Sequence, residues 1–168
     1  REMYPKLLKY HKWWYAKRDH DKNHICEFGS VDGTLVAAAW ESGMDNAIRF
    51  DGTKMLQNGP DAWSTDQESV DLNAYLSLEY TLLKKFAALL DEPFLLPDYR
   101  SMVADYFFDK KDGFFYDRRM NATRDFVREA GCEGYIPFWA NIATKEQFAK
   151  ARKLLDNKKK FSTYIPFP

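Results

Sequence analysis

The chain has 168 residues, of which 45% are hydrophobic and 30% charged, and its 25 basic residues balance its 25 acidic ones. A net charge of zero argues against nucleic-acid binding by electrostatic attraction, and no apolar run reaches the ~20 residues that a membrane span needs. The two cysteines are too few for a disulfide framework. The sequence therefore predicts a globular domain, or part of one, with a real hydrophobic core.

The first predicted element is an amphipathic helix over residues 3–18, where apolar residues recur at three-four spacing. The polar and acidic residues 19–27 follow as a loop. Residues 28–66 are rich in Gly, Asp, Asn, Ser and Thr and have no sustained period, so we predict long loops with one short helix near 35–40. Long ordered loops in a compact domain usually carry function.

The strongest predicted helix covers residues 68–90. Its apolar side chains lie on nearly every face, which is typical of a helix buried in a larger assembly. A second helix is predicted at 98–108, after two prolines, and a short extended piece at 114–116. Residues 117–143 are predicted to be irregular.

The last predicted helix begins with the capping-box pattern Thr144-Lys-Glu-Gln147 and covers about 145–156. Three lysines at 158–160 are predicted to be a solvated helix end. Residues 161–168 are predicted to be extended.

The acidic loop contains the alternating pattern Asp-x-Asp-x-Asn-x-Ile-x-Glu, which matches positions 1, 3, 5, 7 and 9 of a calcium loop. Its members are Asp19, Asp21, Asn23, Ile25 and Glu27, with Ile25 contributing its backbone carbonyl. His24 stands where a calcium loop has Gly, and Ser30 stands where it has its last Glu. A further carboxylate must therefore come from elsewhere in the chain. The spacing alone leaves both a calcium site and a hydrated acidic turn open.

A zinc site in the same loop is a weaker alternative. His20, His24 and Cys26 are close in sequence, but no second ligand pair accompanies them.

The segment Trp40-Glu41-Ser42-Gly43-Met44-Asp45-Asn46 combines an aromatic ring, two carboxylates, an amide and a glycine. Glycoside hydrolysis requires two carboxyl groups that flank the scissile bond, one of them protonated. The chemistry of the segment alone is equally compatible with an ordinary acidic loop.

The segment WESGMDN resembles the part of glycoside hydrolase family 63 that carries the general acid, and more distantly that of the family 37 trehalases. Further segments resemble family 63 in the same order along the chain. They are EMYPKLLKYHKWWYAKRDHDKN with CEFGS before the motif, and QESVDLNAYLSLEY, GFFYDRR, GYIPFWANIAT and FSTYIP after it. The resemblance covers nearly the whole chain.

The resemblance implies a mainly α fold, a fragment of an (α/α)6 toroid, the six-hairpin glycosidase barrel, with long active-site loops. Residues 1–168 would be part of one catalytic domain that is truncated at both ends. Asp45 would be the general acid, and the sugar subsite would hold Trp40, Glu41, Gly43 and Asn46. The implied Ca²⁺ ligands are Asp19, Asp21, Asn23, the carbonyl of Ile25, Glu27 and, from the next helix, Glu68.

The implied reaction is the hydrolysis, with inversion, of an α-glucosidic or similar α-linked bond in an oligosaccharide or disaccharide. The general base of the family is a Glu in a segment after the FSTYIP-like region, and neither Glu129 nor Glu133 lies in a matching motif. We therefore expect the chain to need the remainder of the same polypeptide and to be inactive alone.

Two alternatives stay open: a helical fragment that binds calcium and carbohydrate without activity of its own, and a trehalase. The calcium-like loop favours family 63. The resemblance also implies a periplasmic or secreted location.

Overall fold

The computed structural model describes residues 1–166, which form a mainly α fold with two small antiparallel sheets. The helices are α1 (Met3–Lys17), α2 (Leu35–Ser42), α3 (Val70–Leu90), α4 (Arg100–Phe107), α5 (Ile136–Trp139) and α6 (Lys145–Leu155). The strands are β1 (Glu27–Ser30), β2 (Met55–Gly59), β3 (Ala62–Glu68), β4 (Phe108–Asp109), β5 (Phe114–Phe115) and β6 (Arg118–Arg119). Short 3-10 helices lie at Ile48–Phe50 and Cys132–Tyr135.

The helix predictions are confirmed to within about two residues at each end. The first turn of α6 contains the predicted capping box: the Thr144 hydroxyl accepts from the Gln147 N–H at 3.1 Å, and the Gln147 side chain accepts from the Thr144 N–H at 2.8 Å. These bonds satisfy two backbone donors that a helix start leaves unpaired.

Helix α3 is buried on all sides in its first turns, at residues 70–74, but is covered on only one face in its second half. Tyr80 and Leu83 are buried, at 7% and 1% exposure, and pack towards α1 and the loop after α3. Leu82, Phe86 and Leu89 are 43%, 44% and 81% exposed. The second half of α3 therefore leaves apolar surface uncovered by the described residues, as expected for a helix that is buried in a larger assembly.

Residues 55–68 form a β-hairpin, most of which lies in the region 28–66 where we predicted loops. Strand β3 lies between β1 and β2, antiparallel to both, and β6 adds two residues beside it. The strands MLQNG and AWSTDQE contain mostly polar residues, so they carry no alternating apolar pattern to detect. The pairing brings Glu27 opposite Glu68.

The end of the described chain consists of turns and bends at 161–166 rather than the extended run predicted for 161–168, whose last two residues lie outside the described part. Phe161 is buried beside Phe114 and Ala151, so packing rather than strand pairing holds this segment. No helix within residues 1–166 combines the length and the apolar character that crossing a membrane requires.

Candidate active site and metal centre

Asp45 and Asn46 occupy the tip of a tight turn directly after α2. Gly43 ends the helix with φ +70°, a left-handed conformation that glycine adopts without steric cost. The Met44 carbonyl then accepts from the Ala47 N–H at 3.0 Å and closes the turn. Asp45 and Asn46 are both exposed, so the turn presents them to solvent.

Arg49 anchors this turn to the protein interior. Its guanidinium is nearly fully buried and lies 2.8 Å from Asp71 Oδ2 and 3.0 Å from Asp117 Oδ2. Burial alone lowers the pKa of Arg49, but Asp117 and Asp71 outweigh that effect and raise the pKa, so the side chain stays charged. Asp117 also accepts from the Gln67 side chain and the Val70 N–H. The turn is thereby tied to the start of α3.

A cavity of about 450 Å³ lies between the turn and residues 129–133. Its lining comes from two chain segments: Met44, Asp45, Asn46, Ala47, Ile48 and Arg49 on one side, and Glu129, Ala130, Gly131, Cys132 and Glu133 on the other. Of the five residues predicted for the catalytic centre and its sugar subsite, Asp45 and Asn46 line this cavity.

The other three predicted residues lie around the end of α2. Trp40 is 64% exposed. The Glu41 carboxylate accepts from Arg18 Nη2 at 2.7 Å and from the Gly29 N–H at 2.7 Å. These bonds give Glu41 a structural role, because they join α2 to the end of α1 and to β1. Its predicted sugar contact, like those of Trp40 and Gly43, stays a prediction.

Glu133 is a cavity carboxyl group that the sequence did not single out. It is 7% exposed, and burial raises its pKa to about 7 even though the nearby Arg49 acts in the opposite direction. The available sequence signal was the segment Gly131-Cys132-Glu133-Gly134, which contains no recognised acidic motif.

The acidic loop between α1 and β1 curls into a cluster of carboxylates. Oxygen atoms of Asp19, Asp21 and Glu27 lie within 4.8 Å of one another. The loop turns tightly because Lys22 and His24 adopt φ values of 60° and 70°. His24 thus adopts a left-handed backbone conformation at the position where a calcium loop has Gly.

Glu68 reaches this cluster through strand pairing. It stands opposite Glu27 in the sheet, and its Oε1 accepts from Asn23 Nδ2 at 2.6 Å. The Tyr106 hydroxyl donates to the other carboxylate oxygen. The sequence placed Glu68 in the helix, whereas it ends β3 just before the N-cap residue Ser69 of α3. The strand position aims its carboxylate at the loop.

The cluster concentrates buried negative charge. Asp19, Glu27 and Glu68 are at most 1% exposed, and burial raises the pKa of each carboxyl group. Arg124 pairs with Asp21 and lies 3.0 Å from Glu68. Glu27 Oε1 is buried without a hydrogen-bond partner. A set of oxygen donors with an orphaned carboxylate oxygen is what a hard cation such as Ca²⁺ binds.

The three candidate zinc ligands, His20, His24 and Cys26, do not form a common metal site. His20 Nδ1 is 2.6 Å from Asn58 Oδ1, and the His24 ring stacks on Tyr99 at 4.4 Å. Cys26 is fully buried, and burial raises the pKa of its thiol. Within residues 1–166, the cluster able to hold a metal consists of carboxylates.

Residues 1–168 match a family described as mannosylglycerate hydrolase MGH1-like glycoside hydrolase domain. A curated relative, the mannosylglycerate hydrolase of Thermus thermophilus, is 32% identical over 92 residues, which are 48% of this chain and 20% of that protein.

Two solved structures show the fold. The family 63 mannosylglycerate hydrolase of Thermus thermophilus in complex with glucose superposes with a TM-score of 0.69 at 19% identity, covering 93% of this chain and 44% of that one. The same enzyme with Tris and D-glycerate gives a TM-score of 0.72 at 16% identity, covering 99% and 51%. The chain spans about half the length of these helical barrel proteins, so its fold is a fragment of the (α/α)6 toroid.

The match to the family model runs from the first helix through the acidic loop, the Asp45 turn and the cavity. The chain belongs to the MGH1-like domain family of glycoside hydrolases.

Proposed function

We propose that the protein hydrolyses an α-glucosidic bond in an oligosaccharide or disaccharide with inversion, and that Asp45 is the general acid. The observation that carries the proposal is the position of Asp45. Its turn is anchored by the buried Arg49 and opens onto a cavity of about 450 Å³, in a chain of a glycoside hydrolase family. Such a cavity is large enough for sugar rings.

In this mechanism a protonated Asp45 donates its proton to the departing glycosidic oxygen. A second carboxylate activates a water on the opposite face of the sugar, about 6.5–9.5 Å away, because inversion leaves room for that water. By the family resemblance, the second carboxylate is a Glu of the same polypeptide in a segment after the FSTYIP-like region. The buried ion pairs of Arg49 hold the acid at a defined place while both groups act.

We also propose that the acidic cluster binds Ca²⁺ and that this ion is structural. Its ligands would be Asp19, Asp21, Asn23, the carbonyl of Ile25, Glu27 and Glu68. The partnerless Glu27 oxygen and the raised pKa values of the buried carboxyl groups support the proposal. The ion would join the end of α1 to the β1–β3 pair, because its ligands come from all three places.

The full-length protein tests the enzymatic proposal. It would be incubated with α-linked glucosides, trehalose and mannosylglycerate, the compound named for the Thermus relative. Proton NMR would follow the anomer that is released first. Early appearance of the β-anomer from an α-glucoside would support inversion. Early release of the α-anomer, or no hydrolysis of any α-glycoside, would contradict the proposal.

A further inference from the structure

The cavity beside Asp45 has a second wall, formed by residues 129–133, and Glu133 is the buried carboxyl group of that wall. Glu129 also lines the cavity but is exposed. The 3-10 helix Cys132–Tyr135 positions Glu133 and packs against β5, where a Cβ on Gly134 would come within 2.4 Å of the Phe114 ring. The wall is thus set on the core rather than on a free loop.

The Glu133 carboxylate is folded over Gly131. A Cβ at Gly131 would lie 2.2 Å from Glu133 Oε2, so the absence of a side chain there makes room for the carboxylate. Glu133 lines the cavity, and the hydrogen bond identified for its carboxyl group comes from its own backbone rather than from another side chain. Arg49 is the nearby cation; its Nη1 and Nη2 groups bind Asp71 and Asp117, and its buried Nε has no hydrogen-bond partner among the described residues. Glu133 therefore keeps hydrogen-bonding capacity for a ligand.

We propose that Glu133 binds hydroxyl groups of the sugar whose glycosidic oxygen faces Asp45, and that it selects a neutral sugar ring. A carboxyl group offers two oxygens at a spacing that suits neighbouring ring hydroxyls. Glu133 makes this contact from the wall opposite the general acid. This inference rests on the proposed glycosidase function for its substrate class.

The charges around the cavity give the selectivity. Asp45, Glu129 and Glu133 line it, and the charge of Arg49 is balanced by two buried carboxylates. A uronic acid or a sugar phosphate in the same orientation would bring a second negative charge against Glu133. Arg49, the cation among the described residues that line the cavity, is already paired with two carboxylates. A neutral hexose brings hydroxyl donors instead. A polar group left unpaired in a buried site is the usual source of strong discrimination.

The experiment compares Glu133→Ala and Glu133→Gln with the wild-type full-length protein, and Glu146→Gln on the exposed surface of α6 is the matched control. Binding of glucose and mannose is measured by calorimetry, independently of turnover. Hydrolysis of an α-glucoside is measured in parallel with its monodeoxy analogues and with the matching α-glucuronide. Circular dichroism melting shows whether each variant folds.

We expect Glu133→Ala to weaken sugar binding and to lower kcat/KM by about 10- to 100-fold, the usual worth of a hydrogen bond to a charged group. The loss should be much smaller for the one deoxy analogue that lacks the bound hydroxyl, and relative activity on the glucuronide should rise. A variant that is only partly folded would instead show the same fractional loss of kcat/KM for every substrate. Glu133→Gln keeps one acceptor oxygen and should lose less than Glu133→Ala.

Unchanged sugar binding in Glu133→Ala would overturn the inference, and so would a wild-type protein that binds neither glucose nor mannose. A large loss of kcat in Glu133→Gln that added azide restores would also overturn it, because that result would make Glu133 the general base. If the wild type binds sugar through Glu133 but hydrolyses no α-glycoside, the proposed function fails while this inference stands.

Discussion

Arg49 Nη1 lies 3.0 Å from Asp117 Oδ2, and both side chains are at most 2% exposed. The two residues are 68 positions apart in the chain. Their contact links the turn that carries Asp45 to the strand region after β5, and Asp71 at the start of α3 completes the cluster. The turn that carries Asp45, the proposed general acid, is therefore held in position by a buried charge network.

Replacing Arg49 by Ala should destabilise the fold by about 3–5 kcal/mol, because two buried carboxylates lose their common partner. Urea denaturation measures the change. Lys150→Ala, which removes the exposed pair with Glu146 on α6, should cost about 0.5 kcal/mol or less. Equal effects of the two substitutions would contradict the anchoring role.

Asp45→Asn should lower hydrolysis by about 10²- to 10⁴-fold with little change in stability, because the amide is nearly isosteric but cannot donate the proton. The variant should lose less activity on substrates with a good leaving group, because their departure needs less protonation. The neighbouring exposed Asp51→Asn is the matched control and should keep normal rates. Near-normal turnover of a natural disaccharide by Asp45→Asn would refute the assignment.

Calcium should stabilise the protein more at about pH 7.5 than at about pH 5. Burial raises the folded-state pKa of Asp19, Glu27 and Glu68 above the unfolded values, so the folded state without metal binds more protons. This proton binding stabilises the folded state fully at a pH below the carboxyl pKa values of the unfolded chain. The stabilisation is lost as the pH rises through the higher pKa values of the folded state. Calcium replaces the protons at the higher pH. Melting curves in calcium and in chelator at the two pH values measure the difference.

The variant Glu27→Gln distinguishes calcium binding at the acidic cluster from nonspecific screening of surface charges by the added salt. The neutral side chain should raise the melting temperature in chelator, because it removes a buried charge with a partnerless oxygen, and should reduce the response to calcium. Glu146→Gln should change neither quantity. Identical curves for wild type with and without calcium, at both pH values, would exclude the metal site.

The 168-residue chain alone should be inactive on α-glucosides. It supplies Asp45 but no family-matched general base, and removing one of two cooperating groups usually removes most of their effect. Leu82, Phe86 and Leu89 of α3 are exposed within the described residues, as expected for a helix that meets further helices of a barrel. The assay compares the isolated chain with the full-length protein. Turnover by the isolated chain at a comparable rate would contradict the half-barrel picture.

The helices and the acidic loop could be predicted because their signals are local. The three-four spacing of α1 and α3, the Thr144–Gln147 capping box and the alternating acids after Asp19 each depend on residues within a few turns of one another. The hairpin of β2 and β3 could not be predicted, because most of the polar residues of β3 are buried between its neighbours and neither strand shows an alternating apolar pattern.

The sequence by itself determined the family, the helical elements and two clusters of chemically suitable residues, those around Asp19 and around Asp45. Only the tertiary structure decided how these clusters are completed. Strand pairing places Glu68 beside Glu27, a buried arginine fixes the Asp45 turn, and the fold sets Glu133 across the cavity. The physical reason is that a carboxylate's role depends on its burial and its partners, and those come from residues far away in the chain.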